Sequence, residues 1–279
     1  MYYLSAGVNV VEKVIAFLGK TAEKPQMYGA FHIISLCIIF AVSGLIIYYR
    51  KRLSDKFIAY AFLVSGIIMT VFEIYKQLVI SYIPEVDAWI YSWSIFPFQF
   101  CSTPIYLTLI AFFVYRANKT KLFKTLTAFL GTYSLIGAVV VLFIGTYTVL
   151  NPIIGINVQT MLHHGIMFLI AVMVLVSGTV RFDVKTVFGT FKIFCVLTVM
   201  ALILNKLFQS KEKFDMFYLS ENSEFLYPMF KELFGGRLPH FLYVMGYMAL
   251  FTVGAFLIAG IGRVIAKKRS DKNEADIGR

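Results

Sequence analysis

Phe96-Pro97-Phe98-Gln99-Phe100-Cys101-Ser102-Thr103-Pro104 lies a short way into an apolar run and gathers two prolines, an amide, a thiol and two hydroxyls. Such groups are costly in hydrocarbon. Where they cluster, they face protein or a water-filled cavity, so a site is the default reading of the stretch. Its surroundings decide the fold class.

The chain has 279 residues, 59% of them hydrophobic and 15% charged, with mean hydropathy +0.77. A soluble domain holds nearer half apolar and a quarter charged residues, so the composition describes a polytopic membrane protein. The net charge of +11 does not argue for nucleic acid, because the basic residues sit in short connections between apolar runs. Cys37, Cys101 and Cys195 all fall within apolar runs with neither CxxC nor metal-ligand spacing, which argues against a disulfide framework or a zinc site. No cofactor is called for.

A span needs about 20 apolar residues, and on that ruler about seven appear. They run near Met27–Tyr49, Phe57–Ile80, Trp93–Tyr115, Thr125–Tyr147, Val158–Val180, Thr186–Leu207 and Pro239–Gly262. The expected class is an all-α transmembrane bundle over residues 27–262. Residues 1–26, which mix Asn9, Glu12, Lys13 and Lys20 with an apolar stripe, read as an amphipathic interfacial segment, and 263–279 as a cytoplasmic basic tail, polar and disordered after Lys267.

Basic clusters follow the first span (Arg50, Lys51, Arg52, Lys56), the third (Arg116, Lys119, Lys121, Lys124), the fifth (Arg181, Lys185, Lys192) and the last (Arg263, Lys267, Lys268). The connections 81–92 and 145–157 contain no Lys or Arg. An odd number of spans puts every cluster on one side. The positive-inside rule then predicts an outside N-terminus, a cytoplasmic C-terminus and a multi-pass protein of the cell membrane. The long connection from Phe208 to Leu238 falls outside and reads either as a re-entrant, lid-like segment or as a solvated loop with an aromatic belt.

This topology gives each intramembrane polar residue a depth. His32, Glu73 with Lys76, Cys101, His163 and His164, Asn205 and His240 all fall in the outer half. Each has a structural alternative. A thiol in an apolar helix packs as a small hydrophobe, Glu73 and Lys76 can pair across one turn, His32 can serve as an interhelical donor, and Asn205 can cap a helix end. Adjacent helical residues diverge by about 100°, so only one of His163 and His164 points at Cys101.

A thiol becomes a nucleophile when a base or cation stabilises its thiolate, and an imidazole at equal depth is the smallest helper available. A Cys–His pair in the bilayer would carry an acyl group as a thioester, with Gln99, His32 or Asn205 as candidate oxyanion donors.

At these residues the chain resembles the bacterial YwaF-type integral membrane proteins, which are similar to a eukaryotic transmembrane enzyme implicated as a cysteine-dependent phospholipid acyltransferase. The family's third-helix pattern Leu-Pro-Leu-His-Leu-Cys is matched by Phe96-Pro97-Phe98-Gln99-Phe100-Cys101, with Gln99 where the family has histidine. A later His-Gly pair is matched by His164-Gly165, and an Asn ending the sixth helix by Asn205. The run that follows that Asn in the family is Asn-Tyr-Met-Phe-Leu-like, and here it reads Phe214-Asp215-Met216-Phe217-Tyr218-Leu219. The resemblance implies phospholipid and lysophospholipid substrates, Cys101 as acyl carrier and His164 as its base. Two rival readings use the same residues. One is a transporter or receptor-like protein binding a small molecule at Glu73, Lys76, His32 and His164; the other is a lipid hydrolase that passes the acyl group to water.

Overall fold

The structure, a computed structural model, describes residues 10–86, 88–221, 223 and 226–277. Helix α1 (Val10–Leu18) precedes α2 (Ala30–Tyr48) and α3 (Asp55–Ser81), and a two-stranded hairpin, β1 (Tyr82–Ile83) with β2 (Ala88–Trp89), follows. Then come α4 (Thr103–Arg116), α5 (Thr120–Gly131), α6 (Tyr133–Val139), α7 (Thr146–Val149), α8 (Ile154–Ser177) and α9 (Val184–Leu207). Short α10 (Leu226–Leu233) and long α11 (His240–Ile277) complete the chain. Among the described residues six helices are long and apolar enough to cross a bilayer, and a shorter apolar one covers Phe100–Arg116. The protein is a polytopic helical membrane bundle.

Three elements depart from the expected pattern. The third span is not one helix from Trp93: short 3₁₀ turns at Trp93–Ile95 and Phe100–Ser102 flank an irregular link, and the α-helix begins only at Thr103. Pro97 lacks the N–H a helix would use, and Pro104 is placed in the first turn, where that loss is harmless. The fourth span joins α5 and α6 across a break at Thr132 (φ −121°, ψ −77°) and ends in a π-helical turn at Val140–Ile144. Finally, the helical backbone of α11 runs on to Ile277, through the tail expected to be disordered.

Residues far apart in sequence meet at the basic end. Lys124 pairs with Asp55 at 2.5 Å, and the Arg263 guanidinium donates to the Phe182 carbonyl. At the opposite end Ile15 of α1 clusters with Val79 of α3 and Tyr82 of β1, with Val10, Val14 and Phe17 exposed. The Tyr75 hydroxyl donates to the Leu18 carbonyl at 2.9 Å, and the Ala22 N–H to Pro152 at 2.8 Å, fastening this segment to the bundle. Residues 1–9, the start of the segment expected to be interfacial, lie outside the described residues.

The bundle is organised around α8. It packs against α2, α3, α5 and α6, and 67% of its most apolar window is buried, against 56% or less for the other spans. Asn157 fixes its first turn by accepting from the Asn151 N–H and donating to the Asn151 carbonyl, both at 2.7 Å. Gly178 (φ 79°) closes its far end in the left-handed conformation that glycine adopts without steric cost.

The close approach of α3 to α4 rests on Gly66, where a Cβ would lie 2.7 Å from Leu109 Cδ2 and 2.8 Å from Thr108 Oγ1. Overpacking at such a point costs about 1–3 kcal/mol. Gly66→Leu is expected to lower the thermal midpoint of the detergent-solubilised protein by several degrees, measured by tryptophan fluorescence, whereas Gly44→Leu, with open space around it, leaves the midpoint unchanged.

Candidate functional site

Cys101 sits in the 3₁₀ turn that leads into α4. The thiol is partly buried and packs against the cluster formed by Met69 of α3, Ile105, Ala138 of α6 and Met167 of α8. Its backbone carbonyl, freed by the broken helix, accepts from His163 Nε2 at 2.7 Å. The two histidines of α8 are 4% and 6% exposed. His164 Nδ1 lies 2.8 Å from the Thr160 carbonyl, one turn back on the same helix.

These contacts settle the tautomers. A ring nitrogen facing a carbonyl must carry the proton, so the other nitrogen of each neutral imidazole presents a lone pair. His163 Nδ1 and His164 Nε2 are both buried and without a partner. The site thus holds two acceptor nitrogens in a place where unpaired polar atoms are costly. The direct polar contact to the Cys101 turn comes from His163, and it is made to the carbonyl. Among the described residues no hydrogen bond joins either ring to the thiol.

Glu73 and Lys76 of α3 are within electrostatic reach of the same turn. Glu73 takes Gln77 Nε2 at 2.7 Å on one oxygen and Lys76 Nζ at 2.8 Å on the other. Gln77 also donates to the Ile95 carbonyl at 2.7 Å, joining α3 to the link before Cys101. Gln77 was not among the residues singled out from sequence, although it stands four residues after Glu73 and so on the same helical face.

His32 is committed elsewhere. Its Nδ1 accepts from the Tyr28 N–H at 2.9 Å, and its Nε2 lies 3.0 Å from the Leu142 carbonyl in the π-helical turn. With both nitrogens used, it ties α2 to the fourth span and has no free lone pair.

Gln99 and Asn205 act together on the connection after α9. Gln99 Nε2 donates to the Asp215 carbonyl at 2.7 Å, and its Oε1 accepts from the Phe217 N–H at 3.1 Å. Asn205 accepts from the Met216 N–H at 2.7 Å and donates to the Met216 carbonyl at 3.0 Å. Phe214, Met216, Phe217 and Leu219 are buried, so this loop packs into the bundle as a plug, and the solvated-loop alternative does not describe it. His240 reaches the Leu219 carbonyl at 2.9 Å, and the Tyr243 hydroxyl donates to Tyr218 at 2.8 Å. Phe217 and Tyr218 stand at φ 60° and 58°, a conformation that costs non-glycine residues of order 1–3 kcal/mol and needs such clamps to persist. Burial pushes the Tyr218 phenol up to about 12, so it stays a neutral hydroxyl at physiological pH. It also raises the Asp215 carboxyl, which accepts from the Ser220 N–H at 2.8 Å.

Together these features define a multi-pass helical membrane protein with a buried cysteine–histidine cluster beneath a polar-clamped plug. The chain belongs to the TMEM164 family, whose sequence model matches residues 27–258. Neither the curated proteins nor the solved structures include a match to it.

Each clamp bond is worth about 1 kcal/mol. Removing both bonds of Gln99 or of Asn205 by substitution with alanine is expected to speed amide exchange at residues 214–219 roughly tenfold or more, read by hydrogen–deuterium exchange mass spectrometry, with exchange in the middle of α8 unchanged.

Proposed function

We propose that the protein transfers a fatty acyl group from a phospholipid to a lysophospholipid of the cell membrane through a thioester on Cys101. The observation that carries the reading is the pair of buried imidazoles on α8, each with its proton pinned to a carbonyl and its remaining lone pair unclaimed, of which His163 reaches the Cys101 turn directly. The resemblance to YwaF-type proteins and to the eukaryotic cysteine-dependent acyltransferase points the same way.

In the reaction, His164 Nε2 takes the Cys101 thiol proton, and the Lys76 ammonium favours the thiolate that results. Sulfur attacks the ester carbonyl, the ester C–O bond breaks, and the leaving glycerol oxygen takes the proton back from the imidazolium. A lysophospholipid hydroxyl then attacks the thioester by the reverse path. His163 holds the Cys101 carbonyl and so orients the turn. The apolar surroundings limit water, which favours transfer over hydrolysis. The reading requires His164 Nε2 and the Cys101 thiol, which share no hydrogen bond here, to come together around substrate.

Intact-protein mass spectrometry after incubation with phospholipid is expected to show a hydroxylamine-labile acyl adduct that is absent from Cys101→Ala. Loss of a general base costs 10²–10⁴-fold, so His164→Ala is expected to slow adduct formation by about that factor. His163→Gln keeps a carbonyl donor and is expected to retain most of the rate. Full adduct formation in Cys101→Ala sinks the nucleophile assignment, and the opposite ranking of the two histidine variants moves the base to His163. Free fatty acid in place of new phospholipid identifies hydrolysis. Saturable binding of a polar solute that is indifferent to Cys101, with no adduct, identifies the binding or transport alternative.

A further inference from the structure

A groove of about 610 Å³ runs between α4 and α9, lined at one end by Phe98, Thr103 and Tyr106 and along its length by Val196 and Met200. Its lining is apolar except for the Tyr106 and Thr103 hydroxyls and for Lys192 at the other end. Tyr106 and Thr103 donate to the Pro97 and Phe100 carbonyls, so neither hydroxyl proton is offered to the groove. From Lys192 to Met200 is eight residues, about 12 Å along the helix.

An apolar groove alone confers no preference within a bilayer, because lipid tails are as apolar as its walls. The discriminating group is therefore Lys192. It lies eight residues from the start of α9, at the end of the bundle that carries the basic clusters, and its ammonium sits 5.2 Å from the Phe188 ring, one turn nearer that end. A lysine at this depth buries its stem and directs its charge toward the headgroup level. Among the described residues it makes no ion pair.

We propose that this groove is a phospholipid-binding site, with the lipid phosphate on Lys192 and one acyl chain laid along Val196 and Met200 toward the Cys101 turn. The complement to the unpaired ammonium is an anion at headgroup depth, and the complement to the lining above it is a single chain. The site goes beyond the transfer reading and does not depend on it, because the Cys101 thiol packs on the α3, α6 and α8 side of its turn.

The test uses full-length protein in digalactosyldiacylglycerol vesicles, whose bulk lipid carries no phosphate, that contain a phosphatidylglycerol with a diazirine in one acyl chain, with crosslinks mapped by peptide mass spectrometry. Label is expected to concentrate on residues 103–110 and 193–200, above the level on the exposed Ile34 and Ile38 face of α2. A basic residue near the headgroups contributes enough that Lys192→Ala is expected to lower groove labelling about fivefold while leaving α2 labelling unchanged. A diazirine diacylglycerol, lacking phosphate, is expected to label the groove equally in both proteins. Val196→Trp, which fills the groove, is expected to lower labelling by both probes. Because Lys192 is exposed, its variant keeps the test decisive if the tryptophan protein does not fold. Even labelling of α2 and α9, or groove labelling by the phospholipid that is unchanged in Lys192→Ala, overturns the proposal. Crosslinking needs no turnover, so failure of the thioester reading leaves this result intact.

Discussion

A helix that breaks inside a membrane leaves carbonyls that no water can satisfy, and the architecture around Cys101 follows from how those carbonyls are paid for. Between Ile95 and Cys101 the backbone is not α-helical. Gln77 supplies a proton to Ile95, Tyr106 to Pro97, Thr103 to Phe100 and His163 to Cys101. The Phe98 and Ser102 amides serve the Phe96 and Gln99 carbonyls. Irregular backbone at this depth persists only where such donors surround it. The prolines create the break, and the polar side chains of α3, α4 and α8 make it tolerable.

This constraint also explains why α8 lies at the centre. A helix carrying Gln159, Thr160, His163 and His164 is unsuited to face lipid, and surrounding it with α2, α3, α5 and α6 removes those groups from hydrocarbon. His32 and the π-helical turn repeat the pattern at another break, where a widened turn frees the Leu142 carbonyl and an imidazole takes it. The difference between the two places is chemical. His32 uses both ring nitrogens, whereas His163 and His164 each keep one lone pair unspent, and unspent polar capacity in a buried site is where chemistry or binding is expected.

The plug joins this interior to the end of the bundle opposite the basic clusters. Gln99, two residues before Cys101, and Asn205, at the end of α9, hold the same strained segment from two sides. Where the resembling family carries histidine before the cysteine, this chain carries an amide that donates and accepts at once. That dual capacity suits a backbone clamp and removes a titratable group from the position.

Much of this was legible in the sequence. Span length, the recurrence of basic clusters after alternate spans and the depth of each polar residue all follow from hydropathy and a fixed rise per residue, so the all-helical bundle and the gathering of polar residues toward the end opposite the basic clusters could be read without coordinates. The broken third span was only half legible: the prolines were visible, but where a helix restarts depends on which neighbours can accept or donate. Facing was decided by tertiary structure alone. Sequence placed His32, His163, His164 and Asn205 in the same half of the bundle and Gln99 beside Cys101, and only packing shows that His32 is saturated, that His163 grips the Cys101 carbonyl and that Gln99 and Asn205 clamp the plug. Depth is set along one helix by its own residues, whereas the direction of a side chain is set by helices far away in the chain.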